Sequence, residues 1–261
     1  MSLTALIESS PIPAQIVPVY LINIDRAAER LAEIRRQSDE FGFRFERIDG
    51  IDGALIPRDQ WVDVDHDRFQ RRHGRTILPG EYGCYRSHLQ ALRQFLASDD
   101  SMAVIIEDDV ALDADFLARA MAAKDAAPTA DLIKLVNHRW NGFCAMMRSR
   151  KGDIVGRCLF GPQGSTACYL VTRHGAEKIV KSLAVMSLPW DVAVERGWDM
   201  QISIFSTRTN IAGFSRLQRT TMIGWRRDYR AAKASAWRRI PAHIFRTLDF
   251  FRRINYVLTM P

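Results

Sequence analysis

A chain of 261 residues that is 47% apolar can form one large domain or two small ones around a sizeable core, which excludes a disordered chain. Its four cysteines, Cys84, Cys144, Cys158 and Cys168, are widely spaced and form no CxxC pair. That argues against a zinc ribbon and a secreted disulfide framework, and points to a reducing, cytosolic compartment. The net charge of +7 is unevenly placed along the chain.

The segment before Val17 lacks a basic start and is interrupted by Glu8, Pro11 and Pro13, so no signal peptide is expected. Residues 16–24, IVPVYLINI, are apolar and β-branched and read as a first strand. A helix follows over 25–41, with Ala28, Leu31, Ile34 and Phe41 near helical spacing, Asp25 as its cap and Gly42 as its stop. FRFERI (43–48) alternates as a half-buried second strand, DGIDG (49–53) is a loop, and 54–78 is charged and irregular. Pro79 opens a helix to Ser98. MAVIIEDDV (102–110) is a strand, 113–124 a helix, DLIKLV (131–136) a strand, and 143–171 is rich in strand patterns. A helix over 173–183, a loop with a short helix over 189–198 and a strand over 202–206 complete the body. Strands separated by helices imply βαβ units, an α/β chain with a mostly parallel central sheet, and ligands outside the carboxyl ends of its strands.

One such end carries three consecutive acids, Glu107, Asp108 and Asp109, directly after Ala103, Val104, Ile105 and Ile106. Burying carboxylates is costly unless they are paired, hydrogen-bonded or bound to a metal. In an extended segment Glu107 and Asp109 share one face, with Asp108 opposite. Two carboxylates on one face suit a hard cation such as Mn²⁺ or Mg²⁺, which favours oxygen ligands and substrate phosphates; a solvated turn with a helix cap is the alternative. Asn23 and Asp25 mark a second strand end. His88 lies one turn after Cys84, spacing that serves packing as well as ligation. Lys134 interrupts an apolar strand, and buried there it needs an anion, a donor phosphate or an acid partner. Gly164 and Thr166 precede the ACYLV strand (167–171) and shape either a pocket or a plain turn.

Together these blocks resemble glycosyltransferase family 25, the lipooligosaccharide galactosyltransferases of bacteria and the related animal collagen galactosyltransferases. The resemblance rests on VYLINID followed by Arg30, on IDG (48–50), GEYGCYRSH (80–88), VIIEDDV, TACYLVTRHGAEKIV (166–180) and PWD (189–191), in the family's order over roughly residues 16–192. It implies a GT-A-like nucleotide-sugar fold and an inverting, metal-dependent transfer of a hexose, usually galactose. The donor would be a UDP-sugar and the acceptor a glycolipid or oligosaccharide of lipopolysaccharide or lipooligosaccharide. By the same resemblance Asp109, supported by Glu107, holds Mn²⁺ or Mg²⁺. Asn23, Arg30, Asp49, Gly50, Ser87 and His88, with Glu107 and Asp108 of the triplet and Lys134, make the donor site. Inversion needs a general base, for which Asp191 is the first choice and Glu81 and Asp199 the alternatives. A non-catalytic nucleotide-sugar-binding subunit is the competing reading, and no Walker-type loop supports a phosphoryl-transfer enzyme.

Residues 216–261 lie outside the resemblance and form a basic tail: 11 Lys or Arg against 2 acids give +9, so the other 215 residues carry −2. From Trp237, the apolar residues Ile240, Ile244, Leu248 and Phe251 recur at helical spacing, with Arg238, Arg239, Arg246 and Arg253 largely away from them. The expected division is a glycosyltransferase domain over 1–215 and a basic helical tail over 216–261. That tail either lies on an anionic membrane surface, the inner face of the cytoplasmic membrane, or packs back on the domain. No apolar run is long enough to span a bilayer, and no nucleic-acid reader motif accompanies the arginines.

Overall fold

The computed structural model describes residues 17–215 and 226–259. Ile16 of the first expected strand, the segment before it and the start of the tail at 216–225 lie outside the described residues.

Eight strands form one sheet in the order β2 (Glu46–Asp49), β1 (Val19–Asn23), β3 (Met102–Glu107), β8 (Cys168–Thr172), β5 (Leu132–Lys134), β9 (Ile204–Thr207), β7 (Ile154–Cys158) and β6 (Phe143–Arg148). β1 pairs in parallel with β2 and β3, and β5 with β9. β8 and β7 pair antiparallel with their neighbours. Six strands therefore point one way and two are reversed, so the central sheet is mostly parallel, as expected, with two antiparallel members. The reversals arise because β7 follows β6 by a short hairpin and β8 inserts between β3 and β5.

Alternation along the strands builds two cores. Tyr20, Ile22, Ala103, Ile105, Tyr169 and Val171 face α3 (Pro79–Ala97) and α5 (Arg173–Ser182). Their neighbours Val19, Leu21, Val104, Ile106, Cys168 and Leu170 face α1 (Ala28–Phe41) and α4 (Phe116–Ala126). Burial on both faces accounts for the near-continuous apolar runs in β3 and β8. Gly42 ends α1 at φ 70°, the left-handed position where glycine carries no side-chain penalty.

The strand at 102–110 is shorter than its sequence suggests. β3 stops at Glu107, Asp108 and Asp109 form a turn, and β4 (Val110–Ala111) leaves to pair with β10 (Gly213–Phe214). The segment 54–78 is more ordered than its composition suggests: it holds α2 (His66–His73), capped by the Asp65 carboxylate, which accepts from Arg68 N at 2.8 Å. α2 buries only Phe69, which leaves no periodicity to read.

The tail packs against the body. In α8 (Arg226–Ala231) and the residues after it, Thr76 N donates to Ala232 O and Ala234 N to Gly74 O. α9 (Ile240–Thr259) has Pro241 in its first turn, where a missing N–H costs nothing. Its inner face buries Ala242, Tyr256 and Val257. Tyr256 Oη accepts from Ile204 N at 2.7 Å and donates to Ile202 O at 2.8 Å. All four cysteines are free, and among the described residues no helix is long and apolar enough to cross a membrane.

Gly53 and Gly83 let the loop after β2 lie directly on α3. A Cβ on Gly83 would stand 2.3 Å from Ile51 O and 2.7 Å from Gly53 N. Gly83→Ala is therefore expected to lower stability by about 3 kcal/mol, the upper range of overpacking, because backbone rather than a side chain must move. Thermal unfolding checks it; an unchanged melting temperature would mean that the loop is not held by this contact.

Candidate functional site

β1 and β3 are parallel neighbours, so their carboxyl ends, Asn23 and Glu107, open at the same edge. β8 is reversed, so its preceding loop, 164–167, arrives at that edge too. The result is a cavity of about 590 Å³ lined by all three acids of the triplet.

Around the turn at 108–109 the three carboxylates have different surroundings. Asp108 is buried, accepts from Asn23 Nδ2 at 2.7 Å and pairs with Arg30 Nη1 at 2.9 Å. Burial raises its pKa, and the hydrogen bonds from Arg30 and Asn23 oppose the rise. Asn23 Oδ1 also accepts from Arg47 Nε at 3.0 Å. Asn23 and Arg30 thus form the wall that fixes the acidic turn, while still lining the cavity. Glu107 Oε1 lies 3.2 Å from His88 Nε2. Asp108 thus bonds away to Asn23 and Arg30, while Glu107 stays close enough for its charge to act on Asp109.

Asp109 is different. Its Oδ1 is buried and has no hydrogen-bond partner among the described residues. Burial, reinforced by the Glu107 charge and opposed by Arg30, pushes its carboxyl up to about 7. A buried carboxylate oxygen without a partner is rare. An oxygen-seeking divalent cation fits this donor set, with Asp109 and Glu107 as the residues that would hold it. A second cluster, Cys84, His88 and Glu107, brings ligand atoms within 4.8 Å of one another. Burial, then Glu107 and Asp191, drives the Cys84 thiol well above its ordinary range. Without a cation the Cys84 side chain is therefore held as the neutral thiol.

α3 supplies the opposite wall. Ser87 Oγ accepts from Ile51 N at 2.7 Å and donates to Gly83 O at 2.7 Å, tying the post-β2 loop to the helix. His88 is buried, lies 3.2 Å from Tyr169 Oη through Nδ1, and stacks on Trp190 at 4.8 Å and 7°. Trp190 begins α6 (Trp190–Val194), which carries Asp191 into the cavity. Burial and the nearby Glu195 push the Asp191 carboxyl up to about 6, against the pull of Lys134. Glu81 lines the same cavity, but its carboxylate is bound by Arg75 and by Leu78 N, so it anchors the start of α3 and is not free for proton transfer. Asp199 pairs with Arg196 in α7 (Gly197–Met200), outside the cavity.

Three expected donor residues stand elsewhere. The Asp49 side chain is 79% exposed and pairs with Arg47. Gly50 packs on the Asn23 backbone, its N–H donating to Asn23 O at 2.9 Å. The cavity is reached instead by Ile51, Asp52 and Gly53. Lys134 is fully buried, and the anion it needs is Glu195 at 2.6 Å, not a ligand. Glu195 also accepts from Gln163 N, Gly164 N and Arg253 Nη2. Burial works against its ionised form, but the charges of Lys134 and Arg253 outweigh it and lower its pKa.

Sequence reading passed over several lining residues. Arg26 reaches Asp52 across the rim. Arg139 stands exposed beside Gly164, and His138 stacks on Phe214 at 4.8 Å and 17°. Tyr229, from the tail, lies under Arg75 at 4.9 Å. Isolated arginines in loops carry no periodic signal, and Tyr229 is distant in sequence from every recognisable block.

This arrangement of acids, cavity and strand ends coincides with the stretch that resembles known proteins. Residues 16–194 match the family profile described as "Glycosyltransferase family 25 (LPS biosynthesis protein)". A "Glycosyltransferase 25 family member" of Aedes aegypti is 25% identical over 62% of this chain and 28% of its own length. "Procollagen galactosyltransferase 1-A" of Xenopus laevis is 24% identical over 44% and 19%. "Inactive glycosyltransferase 25 family member 3" of Homo sapiens is 25% identical over 63% and 28%. The chain spans less than a third of the length of these curated relatives. Since the family profile covers β1 through α6, and with them every wall of the cavity except the 213–214 strand and Tyr229, the chain belongs to glycosyltransferase family 25.

Proposed function

We propose that the chain transfers a hexose, galactose by preference, from a UDP-sugar to a saccharide hydroxyl of lipopolysaccharide or lipooligosaccharide, with inversion, on a GT-A-like fold. The observation that carries this reading is the buried, unpartnered Oδ1 of Asp109 at the carboxyl edge of β3. Asp109 and Glu107 would hold a divalent cation, Mn²⁺ or Mg²⁺, which when bound would neutralise charge on the departing diphosphate. Arg139, exposed at the rim, takes the phosphate-facing role once expected of Lys134. His138 on Phe214 offers a flat wall for a ring of the donor. Asn23, Arg30 and Asp108 hold the acidic turn in place, and Ser87 fixes the loop that closes the donor side.

Asp191 is assigned as general base. A base works best with a pKa near the working pH, and a value of about 6 leaves Asp191 ionised at neutrality yet basic enough to accept the acceptor hydroxyl's proton. Asp191→Asn is expected to lower the rate of transfer by roughly 10²–10⁴-fold while donor binding persists. The assay is UDP release from UDP-galactose with Mn²⁺, with and without a lipooligosaccharide-core acceptor, together with the anomeric configuration of the product. Acceptor-dependent release with inversion supports the reading. An absence of transfer with every UDP-hexose, despite donor binding, would place the chain with the human relative described as inactive. Loss of donor binding in Asp191→Asn would move Asp191 from base to donor ligand.

A further inference from the structure

The tail helix presents a face that the body does not cover. Trp237, Ile240, Ile244, Leu248, Phe251 and Leu258 recur three, four or seven residues apart, and each is between 50% and 71% exposed. With Phe250, which stacks on the exposed Phe160 at 5.5 Å, they are seven of the twelve large apolar side chains exposed among the described residues. A contiguous exposed stripe of this kind marks an interaction surface.

The stripe is not a packing face awaiting its place in the fold, because the opposite face of α9 is already engaged. Asp249 pairs with Arg196 at 2.9 Å, Arg253 with Glu195 at 3.2 Å, and Arg246 donates to His73 O at 2.9 Å, while Tyr256 is hydrogen-bonded inside the body. The helix is thus held rigidly with its apolar side outward.

Charge decides the partner. Arg227, Arg230, Lys233, Arg238 and Arg252 are exposed on the same segment, and neither of its acids, Asp228 and Asp249, is. A second copy docked symmetrically on this stripe would bring these five cations against one another, with the exposed Asp67 beside Trp237 and Ile240 at one end only. An anionic lipid surface meets both halves of the pattern, apolar side chains entering the headgroup boundary and arginines meeting the phosphates. On such a surface the helix would lie in the interface, because no described helix is long and apolar enough to cross a membrane.

We propose that Trp237 and the outer face of α9, from Ile240 to Leu258, dock in the interface of an anionic lipid membrane. This goes beyond the reading of the cavity, and its test needs neither donor, metal nor turnover.

The test is co-sedimentation of the full chain with vesicles of phosphatidylcholine alone or mixed with phosphatidylglycerol, at low and raised salt. The wild-type chain is expected to pellet with the mixed vesicles and less at raised salt. Ile244→Glu with Phe251→Glu should weaken partitioning by about tenfold or more, the loss of two buried apolar side chains. Arg238→Gln with Arg252→Gln should weaken binding to mixed vesicles and flatten its salt dependence. These positions are exposed, and circular dichroism verifies that each variant is folded. A wild-type chain that stays in the supernatant, or equal binding by the Ile244/Phe251 variant, would overturn the proposal. So would sedimentation velocity showing a dimer that the same variant converts to monomer, which would assign the stripe to a second copy.

Discussion

Replacing Asp109 with asparagine is expected to abolish transfer and at the same time to stabilise the metal-free protein. The first effect follows from the loss of the charged oxygen that would hold the cation, and amounts to about 10³-fold in rate, or ~4 kcal/mol of transition-state stabilisation. The second follows from the elevated pKa. An unfolded aspartate titrates near 3.9, whereas burial and Glu107 push the folded one up to about 7. Between these values the folded protein holds more protons than the unfolded chain, so stability falls as pH rises through that window. An amide carries no such penalty. At pH 8 and without metal, Asp109→Asn should be more stable by on the order of 2–4 kcal/mol, and the gap should close below pH 4. Thermal melts of both proteins at several pH values measure it. A variant less stable than wild type at every pH would mean that the carboxylate is already compensated in the fold.

Replacing Glu195 with glutamine is expected to be the most damaging single change to stability away from the cavity. The variant leaves Lys134, fully buried, and Arg253, largely buried, facing a neutral group, and removing one partner of a buried pair costs about 3–5 kcal/mol. The carboxylate also receives Gln163 N and Gly164 N, so the loop at 164–167 that borders the cavity should loosen and donor affinity should fall with stability. Lys134→Met in the same chain removes the stranded ammonium. The double variant is therefore expected to be more stable than Glu195→Gln alone, a non-additivity that a double-mutant cycle reads directly. Because the folded pKa of Glu195 is lowered, its contribution is present above the unfolded value near 4.3 and is lost as pH falls through the lower folded value. Simple additivity of the two substitutions would contradict this account of the pair.

The sequence carried the elements well where burial is two-sided or the helix is long. β1, β3, β8, α1, α3 and α5 fall within a few residues of their expected bounds, because apolar runs and Gly42 and Pro79 mark them locally. The reversed direction of β8 and β7 was not legible, since strand direction depends on what each strand pairs with. At the site, the triplet, Ser87, His88 and Asp191 come together as their blocks suggest. Asp49 misses the cavity because the loop turns inward only at Ile51, a turn set by the contact of Gly53 with Gly83 far along the chain. The apolar run around Lys134 marks it as a buried cation in need of an anion, but its partner, Glu195, lies 61 positions away.

The central claim is that the carboxyl edge of β3 binds a nucleotide diphosphate through a cation held by Asp109. Isothermal titration of UDP into the full chain, with Mn²⁺ and with chelator, tests it most directly. Binding that requires Mn²⁺ in the wild-type chain and is lost in Asp109→Asn, itself folded and more stable at pH 8, is the predicted result. Equal UDP binding with and without Mn²⁺, or by Asp109→Asn, would contradict it.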